Sequence, residues 1–199
     1  MDAMKQTTPR STRTADPVAS PAERLLASAT KLFAAQGIRA VGIDHLLRDA
    51  AVAKASLYST YGSKEALVIA YLTHLDLRDR NRYQEAVADL ADPVDKVLAF
   101  FDLAITGARS RDFRGCLYAN AATEFPGTEL EPVSIHRRWV LDTVAELLTA
   151  AGVDRPVEVA RDVQLIYDGA QVGSKVARSV LPIEQGRRLA QRLITRSDR

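Results

Sequence analysis

Apolar residues recur at helical spacing along most of this 199-residue chain, and this period restricts the possible folds more than any other feature. The first such segment begins at Pro21 and stops before Gly37, a residue type that commonly ends helices. Apolar–polar alternation typical of strands is scarce, and the glycines and prolines fall between the helical segments. The sequence therefore predicts an all-α protein with about nine helices.

Capping and helix-breaking residues set the limits of the other predicted helices. Ser63 is placed to cap the fourth helix, and Asp92 followed by proline is placed to begin the fifth. After the first, the predicted helices cover 43–50, 53–60, 64–87, 93–108, 115–125, 132–152, 156–180 and the segment from 182 onward.

Charge is distributed unevenly along the chain. Residues 1–64 hold nine Lys/Arg and five Asp/Glu, whereas the remainder holds eighteen and twenty. A basic first third predicts an anionic partner near the N-terminus. Residues 1–20, which are rich in Ser, Thr and Pro with scattered basic side chains, are predicted to form a disordered basic arm.

Cysteine content and hydropathy predict the compartment. Cys116 is the only cysteine, so no internal disulfide can form, and a reducing environment is expected. The sequence contains no uncharged apolar run long enough to span a bilayer, and its start lacks the apolar stretch of a signal peptide. These features together predict a cytoplasmic protein.

Residues 43–60 have the arrangement of a helix-turn-helix motif. Two short helices flank the sequence "AAVA", and each is too short to be stable without the first helix as a support. The second helix of such a motif enters the major groove of DNA, where small residues permit close approach and polar side chains reach phosphates or base edges. The predicted DNA contacts are Ile43, Asp44, Arg48, Ala53, Lys54, Ala55, Ser56, Tyr58, Ser59, Thr60 and Lys64.

Other residues of this region are assigned to support or to phosphate binding. Val52 and Leu57 are expected to face inward, and Tyr61 is expected to pack at the junction with the next helix. Ser63 and Lys64 begin the fourth helix, where free backbone amides and a lysine make a phosphate site.

The segment from Arg24 to Leu67, "RLLASATKLFAAQGIRAVGIDHLLRDAAVAKASLYSTYGSKEAL", closely resembles the N-terminal region of the TetR (tetracycline repressor) family of bacterial transcriptional regulators. The shared anchors are the apolar end of the first helix before Gly37, the Leu57-Tyr58 pair, and the aromatic-x-Ser-Lys-Glu junction that begins at Tyr61. The resemblance implies a helix-turn-helix DNA-binding domain over residues 21–66. A helical ligand-binding and dimerisation domain is implied over 67–199.

Four positions depart from the family pattern. Ala51 stands where the family usually has a glycine in the turn, and an alanine in a left-handed conformation costs roughly 1 kcal/mol. Ala53 replaces the usual hydroxyl cap of the third helix, and Ala55 replaces a glycine. Gly42 replaces a hydroxyl cap on the second helix, where glycine is acceptable.

The resemblance also implies the mechanism of a homodimeric regulator, usually a repressor. Its two DNA-binding heads contact a two-fold symmetric double-stranded operator, and a small-molecule effector moves the fourth helix and spreads the heads apart. The effector cavity is expected among the fourth to eighth helices, with Asn120 and Gln164 placed to orient a ligand. The candidate cavity residues are His74, Phe100, Phe101, Leu103, Phe113, Cys116, Tyr118, Asn120, Phe125, Trp139, Gln164, Tyr167, Asp168 and Gln171.

The last two helices are the expected dimer interface. Small residues permit close approach of helices, and an apolar helix at the end of the chain needs cover. The predicted interface residues are Ala170, Gly173, Ala177, Val180, Ile183, Ala190, Leu193 and Ile194. Packing of these residues within one subunit is the alternative.

Cys116 admits two interpretations. A lone cysteine on an amphipathic helix is usually a small buried hydrophobe. The alternative is an electrophile sensor, because Arg111, Arg114 and a helix N-terminus would favour the thiolate.

Two other function classes remain as alternatives. One is an enzyme in which Cys116 acts as nucleophile with His74 or His136 as base, although no Gly-rich phosphate loop or nucleophile elbow is present. The other is an architectural DNA-binding protein without a ligand, although two-thirds of the chain forms a helical region without basic character. We predict no cofactor, and no metal site, because His45, His74 and His136 lack ligand spacing.

Overall fold

The computed structural model describes residues 19–109 and 113–196, and over these residues it contains only helices. The all-α prediction is therefore confirmed. The helices are α1 (Pro21–Gln36), α2 (Ile43–Ala50), α3 (Lys54–Tyr61), α4 (Lys64–Val87), α5 (Pro93–Ala108), α6 (Leu117–Glu124), α7 (Glu131–Ala150), α8 (Pro156–Ala177) and α9 (Leu181–Arg196). None of these helices is long and apolar enough to cross a membrane.

Hydroxyl and carboxylate side chains cap the beginnings of three helices. At α1, Ser20 accepts a hydrogen bond from the Glu23 backbone N–H at 3.2 Å while the Glu23 carboxylate accepts one from the Ser20 N–H at 2.7 Å. Ser63 caps α4 and Asp92 caps α5, as the sequence predicted.

Three predicted helices are longer than those observed. The sixth begins at Leu117 rather than Gly115, because Gly115 has a positive φ of 75° and Cys116 is an extended N-cap. The eighth ends at Ala177 rather than Val180, since Arg178 adopts a left-handed conformation that breaks the helix. The seventh covers Glu131–Ala150 rather than 132–152.

The α2–α3 turn contains the strained alanine that the sequence predicted. Ala51 has φ 51° and ψ 48°, the left-handed conformation that favours glycine, and its backbone N–H donates to the carbonyls of Leu47 and Arg48. Neither Gly42 nor Ala53, the N-cap residues of α2 and α3, makes a side-chain capping bond. These two helices consequently depend on packing against α1 and α4 for their stability.

Buried apolar residues form two clusters. The first core cluster joins α1, α2, α3 and the first half of α4 to Tyr118, Ala121, Leu130 and Val133. The second core cluster joins the last part of α4 to α5, α7, α8 and α9. The first cluster continues across the boundary predicted after residue 66, so α6 packs against the helix-turn-helix region. The predicted basic arm falls almost entirely in residues 1–18, which lie outside the described residues.

Candidate DNA-binding surface and ligand cavity

One residue anchors α3 while most of the helix faces solvent. Leu57 is fully buried in the first core cluster and is the only buried residue of this helix. Tyr58 is 45% exposed, and the exposed residues around it form the predicted recognition surface. That surface comprises Ala53, Lys54, Ala55, Tyr58, Ser59 and Thr60.

The polar groups on this surface make few intramolecular contacts. The Ser59 hydroxyl donates to the Ser56 carbonyl at 3.2 Å, and the Lys54 ammonium lies 6.0 Å from the centre of the Tyr58 ring. Lys54 makes no ion pair within the described part of the chain. Such side chains can turn toward phosphates or base edges at little cost.

The α2 residues differ in accessibility. Asp44 and Arg48 are exposed, whereas Ile43 is partly buried and packs against the first core cluster. Tyr61 packs against the same cluster and its hydroxyl donates to the Ala22 carbonyl at 3.0 Å, which confirms its predicted packing role.

Lys64 is engaged inside the protein rather than free for phosphate. Its ammonium donates to the Ile38 carbonyl at 2.8 Å and lies 5.9 Å from the centre of the Phe33 ring. Partial burial lowers the pKa of this lysine. Lys64 thus ties α4 to the α1–α2 loop, and its predicted phosphate contact must use the remaining ammonium donors.

A cavity of about 210 Å³ lies among α4, α5, α6, α7 and α8. Its position agrees with the cavity that the sequence predicted. The predicted residues that line it are Phe100, Leu103, Phe113, Cys116, Tyr118, Trp139, Gln164, Tyr167, Asp168 and Gln171.

Four predicted cavity residues lie elsewhere. His74 is exposed on the outer face of α4, and Phe101 is fully buried in the second core cluster. Asn120 is occupied, because its amide donates to the Arg114 carbonyl and accepts from the Lys175 ammonium at 2.8 Å. Phe125 packs against the first core cluster. A helical period cannot separate His74, Phe101 and Asn120 from true cavity residues, since all three lie on amphipathic helices, whereas Phe125 follows the end of α6.

The cavity wall also contains charged residues that the sequence did not indicate. Arg78, Asp79 and Arg82 line it from α4, and His136 and Arg137 line it from α7. Their spacing on α4, at i, i+1 and i+4 with Leu75 three residues before them, was the available signal. The same spacing of charged residues is typical of a solvent-exposed helix face. Only the packing of α4 on α7 shows that these residues line a cavity.

Tyr118 stands at the junction between the cavity and the first core cluster. Its hydroxyl donates to the Asp79 carboxylate at 3.0 Å, and its ring stacks on His136 with centroids 3.7 Å apart. His136 Nδ1 is 2.8 Å from the Asp76 carboxylate, which also accepts from Arg80. Two contacts thereby connect α6 and α7 to α4, the helix that continues into the DNA-binding region.

Burial lowers the pKa of His136 although the Asp76 contact opposes this effect. The unfolded chain takes up a proton on this imidazole near pH 6.5, whereas the native protein resists it. The free energy of unfolding should therefore fall as the pH drops below about 6.5. Urea unfolding at pH 7.5 and 5.5 should show a larger loss for the wild type than for His136→Gln. Equal losses would contradict this prediction.

Of the two interpretations of Cys116, the structure favours the buried hydrophobe over the electrophile sensor. Burial raises the pKa of its thiol, and the Ala119 N–H that reaches the sulfur at 3.5 Å does not compensate. The Arg114 guanidinium lies beside Gly37 instead, and Arg111 lies outside the described residues. Cys116 packs against the first core cluster, which agrees with the buried-hydrophobe interpretation.

Four of the eight predicted dimer residues are buried inside the subunit, and Leu193 packs against the second core cluster in a partly buried position. Ile183, Ala190 and Ile194 are buried in the second core cluster, so they cannot contribute surface to an interface. Ala170 is buried as well. Its methyl group packs so closely on Gly186 of α9 that a Cβ at that glycine would lie only 2.8 Å away. Small residues here serve close packing of α9 on α8 within one chain.

A different face of α8 and α9 is apolar and exposed. This face stays exposed after α8 and α9 pack against each other, and a shallow groove runs between the two helices. We call this surface the exposed α8–α9 stripe; its large apolar members are Leu165, Val172, Val176, Leu181 and Leu189. Of the predicted interface residues, Gly173 and Val180 are partly buried and Ala177 is exposed.

Comparison with known proteins identifies the family. Residues 25–71 match the family model for bacterial regulatory proteins of the tetR family. The chain is similar to a solved TetR-family transcriptional regulator from Streptomyces coelicolor, with 32% identity, a TM-score of 0.82, and coverage of 90% of this chain and 97% of that one. This chain belongs to the TetR family. The family resemblance seen in the sequence is confirmed.

Other TetR-family relatives are more distant. The Escherichia coli transcriptional regulator YjdC is 26% identical over 176 residues, covering 86% of this chain and 92% of that protein. The E. coli transcriptional repressor NemR is 25% identical over 178 residues, covering 81% and 87%. TetR-family members are DNA-binding transcriptional regulators that respond to ligands, and this chain is one of them.

Proposed function

We propose that the protein is a cytoplasmic homodimeric repressor that leaves its operator when a small molecule occupies the cavity between α4 and α8. The observation that carries the proposal is that Tyr118 belongs both to the cavity wall and to the first core cluster. Its side chain lines the cavity, and it is also buried in the first core cluster with the helix-turn-helix region. An occupant of the cavity therefore contacts a residue that belongs to the support of the DNA-binding helices.

The DNA-binding part of the proposal rests on α3. Leu57 holds this helix against the first core cluster, and the opposite face presents Lys54, Tyr58 and Ser59 to solvent. Such a face fits the major groove, with the lysine on phosphate and the hydroxyl groups near base edges. Asp44 and Arg48 on α2 are exposed and are proposed to lie at the DNA backbone.

The homodimer part of the proposal rests on the exposed α8–α9 stripe. Apolar side chains that share one face of adjacent helices mark a protein contact. A second copy packing its own stripe there would make a two-fold four-helix bundle and hold the two α3 helices at a fixed separation. The operator is then expected to be two-fold symmetric.

Release requires that the effector favour one conformation of the subunit over another. A ligand shifts such an equilibrium only by its difference in affinity for the two states. The described contacts of Tyr118 and His136 with α4 supply groups whose geometry changes if α4 moves. We propose α4 as the moving element.

Operator retention tests the proposal. Operator DNA is first selected from a random pool by its binding to the protein, and small molecules are then screened for release of that DNA. Ala104 lines the cavity from α5, so Ala104→Trp should fill the cavity and block release while operator binding persists. A protein that selects no DNA sequence, or compounds that release the wild type and Ala104→Trp equally, would contradict the proposal.

Lys54 provides a further test at the DNA surface. Replacing Lys54 with Ala should weaken binding to all DNA sequences and lower the salt slope by about one, because one phosphate contact is lost. Lys175→Ala removes the same charge on α8 and should leave the slope unchanged. Fluorescence anisotropy over a range of salt concentrations measures both. An unchanged slope for the Lys54 variant would remove this residue from the interface.

A further inference from the structure

The face of α8 that lines the cavity contains two polar groups without hydrogen-bond partners. Gln171 is only 7% exposed, and none of the hydrogen bonds of the described residues involves its side-chain amide. The Tyr167 hydroxyl likewise has no such partner, and burial raises the pKa of this group. The polar atoms of both residues are accessible from the cavity, where an occupant can hydrogen-bond to them. These two groups point to a ligand that satisfies them.

The opposite wall of the cavity is aromatic. Tyr83 and Phe100 stack with ring centroids 4.1 Å apart, and Trp139 meets both rings edge-on at 5.7 Å and 5.6 Å. Together these rings form the aromatic wall. Such a surface favours a flat apolar or aromatic body on energetic grounds, since aromatic rings gain from stacked or edge-to-face contact.

The charged groups of the cavity are already compensated. Arg137 pairs with Asp168 at 2.8 Å, and the Asp79 carboxylate accepts from the Tyr118 hydroxyl at 3.0 Å. Among the described lining residues Arg82 has no ion pair, but it is solvent-exposed. The only unpaired cation that an anionic ligand next to Gln171 could use, among the described lining residues, is therefore this solvent-screened guanidinium, which compensates poorly for burying a charge.

The volume of the cavity limits the size of the occupant. Drug-sized ligands occupy pockets of roughly 300–1,000 Å³. The cavity of about 210 Å³ is smaller than this range. One or two fused rings fit such a space.

We propose that the effector is a neutral aromatic molecule of one or two rings that carries a hydroxyl or carbonyl group. Its ring lies against the aromatic wall, and its polar group hydrogen-bonds to the Gln171 amide and the Tyr167 hydroxyl. This inference rests on the proposed function, in which the cavity is the effector site. The two can be tested separately, because the affinity of the protein for a probe molecule is measured without DNA.

Three matched probes separate the contributions of ring, polar group and charge. Titration calorimetry of the full chain at pH 7 compares naphthalene, 2-naphthol and 2-naphthoate. We expect 2-naphthol to bind about tenfold more tightly than naphthalene, the gain from a satisfied buried hydrogen bond. We expect 2-naphthoate to bind more weakly than 2-naphthol because its buried charge is poorly compensated.

Variants locate the polar contact. Gln171→Leu should bring the affinity for 2-naphthol down to that for naphthalene, and Tyr167→Phe should remove part of the difference. Gln84→Leu makes the same chemical change at an exposed position of α4 and should alter neither affinity. Ala104→Trp should abolish binding of all three probes, which places them in the cavity.

A second measurement distinguishes a ligand-binding role for Gln171 from a structural one. Without ligand, Gln171→Leu should have a melting temperature equal to or above that of the wild type, because the amide that is removed has no hydrogen-bond partner in the described part of the protein. A lower melting temperature would assign Gln171 to the structure of the protein and overturn the proposal.

Three binding results would also overturn the proposal: no binding of 2-naphthol, tighter binding of 2-naphthoate, or retention of the 2-naphthol advantage by Gln171→Leu. A failure of the proposed function is distinct from these, since it appears as operator DNA that no cavity ligand releases. The expected probe pattern supports the ligand class whether or not 2-naphthol itself releases DNA.

Discussion

Val176→Glu is expected to make the protein monomeric and to weaken its affinity for the operator by at least about a hundredfold. Val176 is 79% exposed on the α8–α9 stripe, so its replacement leaves the subunit interior intact. In a two-fold dimer the same carboxylate would be buried twice at one apolar interface, which is strongly unfavourable. A monomer holds DNA with one head and loses the effective concentration that the second head supplies.

Light scattering at micromolar concentration and operator titration measure the two effects of Val176→Glu. Leu77→Glu is the matched control, because Leu77 is 58% exposed on α4, away from the stripe. This control should remain dimeric and retain operator affinity. A Val176→Glu protein that is still a dimer, or a monomer with the parental affinity, would exclude the stripe as the functional interface.

Leu57→Ala and Tyr58→Ala, two neighbouring substitutions on α3, are expected to differ in their effect on stability. The first should destabilise the protein, whereas the second should weaken DNA binding alone. Leu57 is fully buried, so Leu57→Ala should lower the free energy of unfolding by about 2–5 kcal/mol and abolish operator binding with it. Tyr58 is 45% exposed, so Tyr58→Ala should change stability by less than about 0.5 kcal/mol while weakening DNA binding.

Urea unfolding followed by circular dichroism measures the stability of both α3 variants, and operator titration measures their DNA binding. A stable Leu57→Ala protein would contradict the buried anchor. A Tyr58→Ala protein with unchanged DNA affinity would contradict the proposal that this face of α3 contacts DNA.

The DNA-binding region was predictable because its signals are local. Leu57 was placed inward from its spacing, and the cap at Ser63 followed from residue type. The left-handed conformation of Ala51 followed from the glycine that the TetR family usually has in this turn. Lys64 was the exception. Its bond to the Ile38 carbonyl depends on where the α1–α2 loop lies, and the sequence between the two residues does not reveal that.

The proposed dimer surface could not be predicted because α8 has two apolar faces. Small residues such as Ala170 were assigned to an interface between subunits, since close approach of helices requires them. In the structure the close approach is to Gly186 of the same chain, and the larger Leu165 and Val176 remain exposed. Residue size indicates a close helix contact but does not identify the partner helix.

The cavity was predictable in its position but not in its chemistry. Most of its aromatic residues were found because they recur on the expected helices, but Tyr83 of the aromatic wall was not among them. The pair formed by His136 and Asp76 joins residues sixty positions apart. The access of the Gln171 amide to the cavity depends on how the surrounding helices pack. Such contacts arise only from the tertiary arrangement.

The double position of Tyr118 gives a physical basis for regulation. Its hydroxyl contacts Asp79 on α4, and its ring belongs to the same core cluster as Leu57 on α3. A ligand that moves this ring changes contacts on α4 and in the support of the recognition helix together. The described contacts thus connect the cavity with the DNA-binding surface through packed groups.

The central claim is that two copies of α3 occupy successive major grooves of one operator, and methylation interference with dimethyl sulfate tests it most directly. This reagent marks guanine N7 in the major groove and adenine N3 in the minor groove. On DNA selected by the protein, we predict interference by guanine N7 methylation in two symmetric half-sites centred about one helical turn apart. Interference confined to adenine N3, or to a single half-site, would contradict this account.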